Sequence, residues 1–109
     1  QHLYELLQEE GLYGRLLEAI KKSGSLNILR RYEKILQKEY AEEIVQIYAD
    51  NIEGMADRAS NRSTYKEIVQ ILSHMKEFRG GAEIVERIVG SWRYKYRKRR
   101  AMMEEIKDL

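Results

Sequence analysis

The run Trp92-Arg93-Tyr94-Lys95-Tyr96-Arg97-Lys98-Arg99-Arg100 places six cations among three aromatics in nine residues, with no acidic residue between them. Guanidinium and ammonium groups neutralise phosphates and release counterions, and aromatic rings stack on unpaired bases. Arg93, Lys95, Arg97, Lys98, Arg99 and Arg100 are therefore the candidate nucleic-acid-binding residues. On one uninterrupted helix, Arg93, Arg97 and Arg100 would stand at i, i+4 and i+7 and form a short basic ridge. Engaging a few phosphates, such a ridge predicts weak, sequence-independent and salt-sensitive binding, auxiliary to a stronger site elsewhere. The same run has a plainer reading. Trp92 and Tyr96 lie one turn apart and would extend a core stripe. The cations would then complement the negative C-terminal end of a helix and pair with Glu104 or Glu105. A surface for a protein partner is the third reading.

No other constellation carries chemistry. A nucleophile needs a base beside it, and the histidines are His2, at the terminus, and His74. His74 neighbours Met75 and has no histidine or cysteine three or four residues away, so it reads as a surface histidine rather than a ligand. Cysteine is absent, which removes disulfides and thiolates and suits a reducing, cytoplasmic setting. The pairs Glu9-Glu10, Glu42-Glu43 and Glu104-Glu105 are sequence neighbours, which point about 100° apart on a helix and converge on nothing. Gly11 and Gly14 lack the preceding strand and following Gly-Lys-Ser/Thr of a phosphate loop. The expectation is a non-catalytic domain without cofactor or metal.

The charge is unevenly placed. Residues 1–86 carry 12 Lys/Arg against 15 Asp/Glu, whereas residues 87–109 carry 8 against 3, so the net +2 hides a basic C-terminal fifth. Such asymmetry points to an anionic partner for that segment. Of 109 residues, 43% are apolar and 35% charged, with seven glycines and no proline, a composition suited to long solvent-laced helices in a single domain. No apolar run approaches a membrane span. The start at Gln1, with neither initiator methionine nor signal segment, is expected of a fragment of a longer chain.

Those residues must be carried on helices, because apolar positions recur at helical spacing nearly throughout. A first stripe pairs Leu3, Leu6 and Leu7 and is expected to end at Gly11. A second holds Leu12, Leu16, Leu17 and Ile20 and stops at Lys21-Lys22-Ser23-Gly24, with Gly24 suited to a left-handed cap and Ser25 to the next N-cap. Then come Ile28, Leu29, Tyr32, Ile35 and Leu36, followed by Tyr40, Ile44, Ile47, Tyr48, Ile52 and Met55. One helix spanning both would run about 45 Å, so a break is expected over 38–41. Thr64 with Glu67 suggests a capping box opening a helix with Ile68, Leu72 and Met75. Gly80-Gly81 separates it from Ile84, Val85, Ile88, Val89 and Trp92, and a last helix holds Met102, Met103 and Ile106. The fold expected is all-α, an irregular array of six to seven antiparallel helices, stacked as hairpins around one core.

Two further patterns belong to that array. Glu43-Ile44-Val45-Gln46-Ile47 reappears as Glu67-Ile68-Val69-Gln70-Ile71 and, more loosely, over residues 83–88. The offsets are unequal, so the echo is expected to reflect helices entering the core with similar packing rather than a repeat. Tyr32, Tyr40, Tyr48 and Tyr65 lie on core stripes and are expected to bury the ring and leave the hydroxyl wet.

The order Tyr40-Ala41-Glu42-Glu43-Ile44-Val45…Tyr48, then Ala59-Ser60-Asn61-Arg62-Ser63-Thr64-Tyr65…Ile68-Val69…Leu72…Met75, then Tyr96-Arg97-Lys98-Arg99-Arg100-Ala101-Met102-Met103-Glu104-Glu105-Ile106, resembles the helical region that follows the finger in bacterial SWIM-type zinc-finger proteins. The likeness covers Leu26 to Leu109. That family often has proline where Ala41 and Arg97 stand here, and its zinc-binding Cys-x-Cys…Cys-x-His element has no counterpart in this chain. The resemblance implies a fragment lying downstream of a finger and inheriting none of its metal chemistry. The expected role is a structural or protein-interaction domain of a larger protein, with weak auxiliary nucleic-acid binding as the alternative.

Overall fold

Gly11, Gly24 and Gly80 hold positive φ values of 71°, 69° and 81°, and each marks a helix boundary. The structure, a computed structural model, describes residues 2–109. Among the described residues six helices and no strand succeed one another: α1 (His2–Glu9), α2 (Tyr13–Ser23), α3 (Leu26–Arg58), α4 (Arg62–Met75), α5 (Gly81–Lys95) and α6 (Arg100–Ile106). The protein is all-α, as its periodicity requires. None of these helices is long and apolar enough to cross a membrane.

The helix ends show why the breaks fall where they do. At Gly11 the N–H groups of Gly11 and Leu12 return to the carbonyls of Gln8 (3.1 Å) and Leu7 (2.9 Å), the paired bonds of a Schellman cap. At Gly24 the first of these is present, from Gly24 N–H to the Lys21 carbonyl at 3.3 Å. A serine replaces the second: the Ser23 hydroxyl donates to the Ile20 carbonyl at 2.6 Å and accepts from the Ser25 N–H at 3.1 Å. Ser25 then opens α3, its Oγ accepting from the Ile28 N–H at 3.3 Å.

Two boundaries differ from expectation. The break over 38–41 is a kink rather than a turn: α3 is one element of 33 residues in which Tyr40 alone leaves helical geometry, at φ −123° and ψ 30°. Lys38-Glu39-Tyr40-Ala41 contains no glycine, proline or short polar residue to reverse the chain. At α4 the cap is Asn61, whose Oδ1 accepts from the Thr64 N–H at 2.9 Å and the Thr64 hydroxyl at 3.1 Å. Thr64 thus lies inside the first turn, and its proposed capping box with Glu67 does not form. Asn61 wins because it sits one residue outside the first helical position with extended backbone, φ −137° and ψ 161°.

Two compact units divide the chain, one ending at Ile44 and one running from Val45 to Leu109. In the first, Leu16, Leu17 and Ile20 of α2 and Leu29, Tyr32, Leu36, Ala41 and Ile44 of α3 are buried. The rings of Tyr4 and Tyr32 meet at 6.2 Å. The Tyr40 hydroxyl lies over Gly14, 3.2 Å from where a Cβ would stand. α1 packs on α2 but buries no residue completely.

In the second unit α4 packs against α5 and α6. Its buried side chains include Tyr48 and Ile52 of α3, Ile68 and Leu72 of α4, Val89 and Trp92 of α5, and Met102 and Ile106 of α6. The sequence echo does not keep one packing phase. Val45 and Val85 are buried while Val69 is only half-buried, and Ile71 is buried while Ile47 is half-buried. Nor are the tyrosine hydroxyls uniformly wet, since Tyr65 donates to the Ala59 carbonyl at 3.3 Å.

Gly80 and Gly81 serve different purposes. A Cβ on Gly80 would meet open space, so only its positive φ demands glycine, whereas a Cβ on Gly81 would collide with the Met75 carbonyl oxygen. Gly80→Ala should therefore cost about 1–2 kcal/mol of left-handed strain. Gly81→Ala has to move α5 off the end of α4 and should cost roughly 3 kcal/mol or more, which thermal denaturation of the two variants measures.

Candidate nucleic-acid interface

The basic run does not lie on one helix. α5 ends at Lys95, Tyr96 takes φ −110° and ψ 26°, and α6 starts at Arg100. Arg93, Arg97 and Arg100 therefore sit on a helix, a turn and a second helix, and the expected single-face ridge is not formed. The separate last helix expected after the run is present, but Tyr96-Arg97-Lys98 contains no residue that signals a stop, so spacing alone did not place the break. Tyr96 N–H still closes onto the Trp92 carbonyl at 2.8 Å, and Arg99 N–H returns to the Tyr96 carbonyl at 2.8 Å.

The aromatic half of the run goes inward, as the core-stripe reading had it. Trp92 and Tyr96 are buried, with rings edge-on at 6.2 Å. Both polar tips reach carboxylates of α3: Trp92 Nε1 donates to Glu53 at 3.3 Å, and the Tyr96 hydroxyl to Asp57 at 3.5 Å. Tyr94 is the exception, 75% exposed.

The cations divide by task. Arg99 donates to the Ala56 carbonyl at 2.7 Å and lays its guanidinium 4.1 Å from the Tyr96 ring centre. Ala56 lies in the last turn of α3, and its carbonyl, which also accepts from the Ala59 N–H at 3.3 Å, takes Arg99 as a second donor that caps the helix from outside. Arg93 does the same for α6, donating to the carbonyls of Ile106 and Lys107 at 3.3 Å each. Arg97 donates to the Tyr94 carbonyl at 2.9 Å and covers the Tyr94 ring at 5.1 Å. Lys95 stands 5.2 Å over the Tyr96 ring. Lys98 is exposed and makes no polar contact among the described residues.

The carboxylates assigned to these cations belong to another residue. Glu104 and Glu105 bind the two ends of the Arg62 guanidinium, at 2.8 and 2.9 Å. Arg62 opens α4, 42 and 43 residues away in sequence, and no local spacing rule could have found it. The hydrogen bond from Arg62 and its charge hold the Glu104 carboxyl below the ordinary value of 4.5, with Lys107 and Arg100 adding smaller pulls.

Elsewhere, His74 is not the plain surface residue expected. Its ring stands edge-on to Tyr48 at 5.5 Å and to Phe78 at 5.3 Å, with Nδ1 3.7 Å from Glu77. Among the described residues no group of three or more His, Cys, Asp or Glu side chains could hold a metal ion. No family model, curated protein or solved structure matches the chain.

Two outcomes follow from this division. Arg99→Gln should lower stability by about 1–2 kcal/mol through loss of a charge-assisted bond to a helix end, while Lys98→Gln should stay within about 0.5 kcal/mol; urea unfolding separates them. Glu104, lowered in the folded state, contributes stability that is complete above the unfolded value of 4.5 and is lost as pH falls through its folded value. Thermal melts below pH 4.5 should therefore show an acid-side loss whose Glu104 part disappears alike in Glu104→Gln and in Arg62→Gln.

Proposed function

We propose that this chain is a non-catalytic helical module that docks a protein partner on the leucine face of α1, within a larger SWIM zinc-finger-like protein. The observation that carries the docking role is exposure. Leu3 is 55% and Leu6 51% exposed, with Leu12 beside the end of the same helix at 36%. Leu3, Leu6 and Leu7 stand at i, i+3 and i+4, so they share one face. The Schellman bonds carry the backbone of Leu12 back to that of Leu7. Leaving this surface in water forgoes about 25 cal/mol per Å² of apolar area, a cost that a partner would recover.

Charge selects the partner's chemistry. Residues 1–14 hold Glu5, Glu9 and Glu10 and no lysine or arginine, so the segment that carries the leucine face is net negative. An amphipathic helix with an apolar ridge and basic flanks fits it.

Placement beside a SWIM finger rests on the motif resemblance alone.

The docking role is tested with a lysine–leucine amphipathic helical peptide as probe, titrated into wild type and a Leu3→Asp/Leu6→Asp variant. Binding in the tens of micromolar that the double variant loses at least tenfold is the expected result. Equal binding by both proteins overturns it. Concentration-dependent dimerisation of wild type that the same variant abolishes would assign the face to a second copy of this chain instead.

A further inference from the structure

We propose that the turn joining α5 to α6 binds single-stranded nucleic acid, with Lys95, Arg97 and Lys98 on the phosphates and Tyr94 against a base. This surface is separate from the leucine face of α1 and does not depend on it. The capping assignments make the reading specific, because they remove Arg93 and Arg99 from the binding set. Both guanidiniums are tied to the ends of other helices, α6 and α3, whereas Arg97 bonds only the Tyr94 carbonyl three residues back and is otherwise exposed. Arg100 lies within the field of Glu104. Lys95, Arg97 and Lys98 remain, and with Tyr96 and Arg99 they line an open hollow of about 420 Å³ that contains no carboxylate in its wall.

Two of the cations in that wall, Lys95 and Arg97, are held in place rather than waving free. Lys95 rests against the Tyr96 ring and Arg97 against Tyr94, each within the range of cation–π attraction. Tyr96 is itself fixed by burial and by its bond to Asp57. A phosphate entering the hollow meets positive groups whose rotamers are already restricted, which lowers the ordering cost of binding.

Tyr94 decides the class of ligand. It is the one large apolar side chain of the second unit's described residues that stands exposed. A duplex would engage the cations and leave this ring idle, because its bases are paired and stacked. A single strand offers unpaired bases to an exposed aromatic ring beside a cationic backbone track. An acidic peptide has no use for the ring. A bilayer would require an apolar wedge, and one tyrosine flanked by arginine and lysine supplies none.

The test is fluorescence anisotropy of the 109-residue chain with labelled oligothymidylate, a mixed-sequence duplex and inorganic polyphosphate at low salt. Oligothymidylate should bind more tightly than duplex, with a slope of about −2 in log affinity against log salt for three phosphates. Lys95→Gln/Arg97→Gln/Lys98→Gln should weaken it at least tenfold, with Lys95→Gln/Lys98→Gln alone serving if the triple variant loses helical circular dichroism. Tyr94→Leu should weaken oligothymidylate several-fold and leave polyphosphate unchanged. Arg93→Gln should lower the melting temperature and leave affinity as it was. The proposal is overturned if wild type and the lysine variants bind alike, or if nothing binds at tens of micromolar. It is equally overturned if Tyr94→Leu has no effect on oligothymidylate, which would make the hollow a receptor for polyanions in general.

Discussion

An α-helix leaves its last four carbonyls without internal donors, and where the described residues form six helices joined by short turns those oxygens must be satisfied close at hand. Most of the local detail in this molecule is an answer to that constraint. α1 uses a left-handed glycine and two returning N–H groups. α2 uses the same glycine geometry with a serine hydroxyl relaying the second bond. α4 tightens, the N–H groups of Lys76, Glu77 and Phe78 closing onto carbonyls three residues back. α3 and α6 receive guanidiniums from distant arginines. A basic cluster that looks like a binding motif is thus partly the chain's own capping material.

The two kinds of cap differ in how they appear in sequence, and that difference explains what could be read in advance. Glycine caps are local. Gly11, Gly24 and Gly80 announce their breaks because only glycine takes those φ values cheaply, and Ser25 announces α3 for a similar reason. The burial of Trp92 and Tyr96 was legible from their spacing with Ile88 and Val89. Arginine caps are non-local. Nothing near Arg99 points to Ala56, and nothing near Glu104 points to Arg62. A break before the last helix was legible, but its place at Lys95 was hidden, since Tyr96-Arg97-Lys98 holds no breaker residue.

Misreadings at the candidate site share that origin. Counting cations assigns six equal residues, while geometry separates those that hold the fold from those left to meet a ligand. Arg93 and Lys98 are five positions apart in the same basic segment, yet one is bonded to the end of α6 and the other faces water. Similarly, Glu104 and Glu105 looked like solvated neighbours because consecutive helical positions diverge. One planar guanidinium reaches both because its two nitrogens diverge as well.

The polar contacts that tie α3 and the start of α4 to the C-terminal segment all span similar stretches of chain: 39 residues for Glu53–Trp92 and Asp57–Tyr96, 43 for Ala56–Arg99, and 42 and 43 for Arg62 with the two glutamates. They behave as a single long loop with several parallel clasps. Closing a loop of that size has one entropic penalty, and once the first clasp forms the others add almost none. Formation of the second unit is therefore concerted at its seam, and the order of events is imposed by synthesis: α4 and α5 can assemble as they emerge, but Ala56 and Arg62 must wait for residues 99–105. Until then the last turn of α3 and the first of α4 keep only their local bonds and water, and this seam is the part of the unit that commits last.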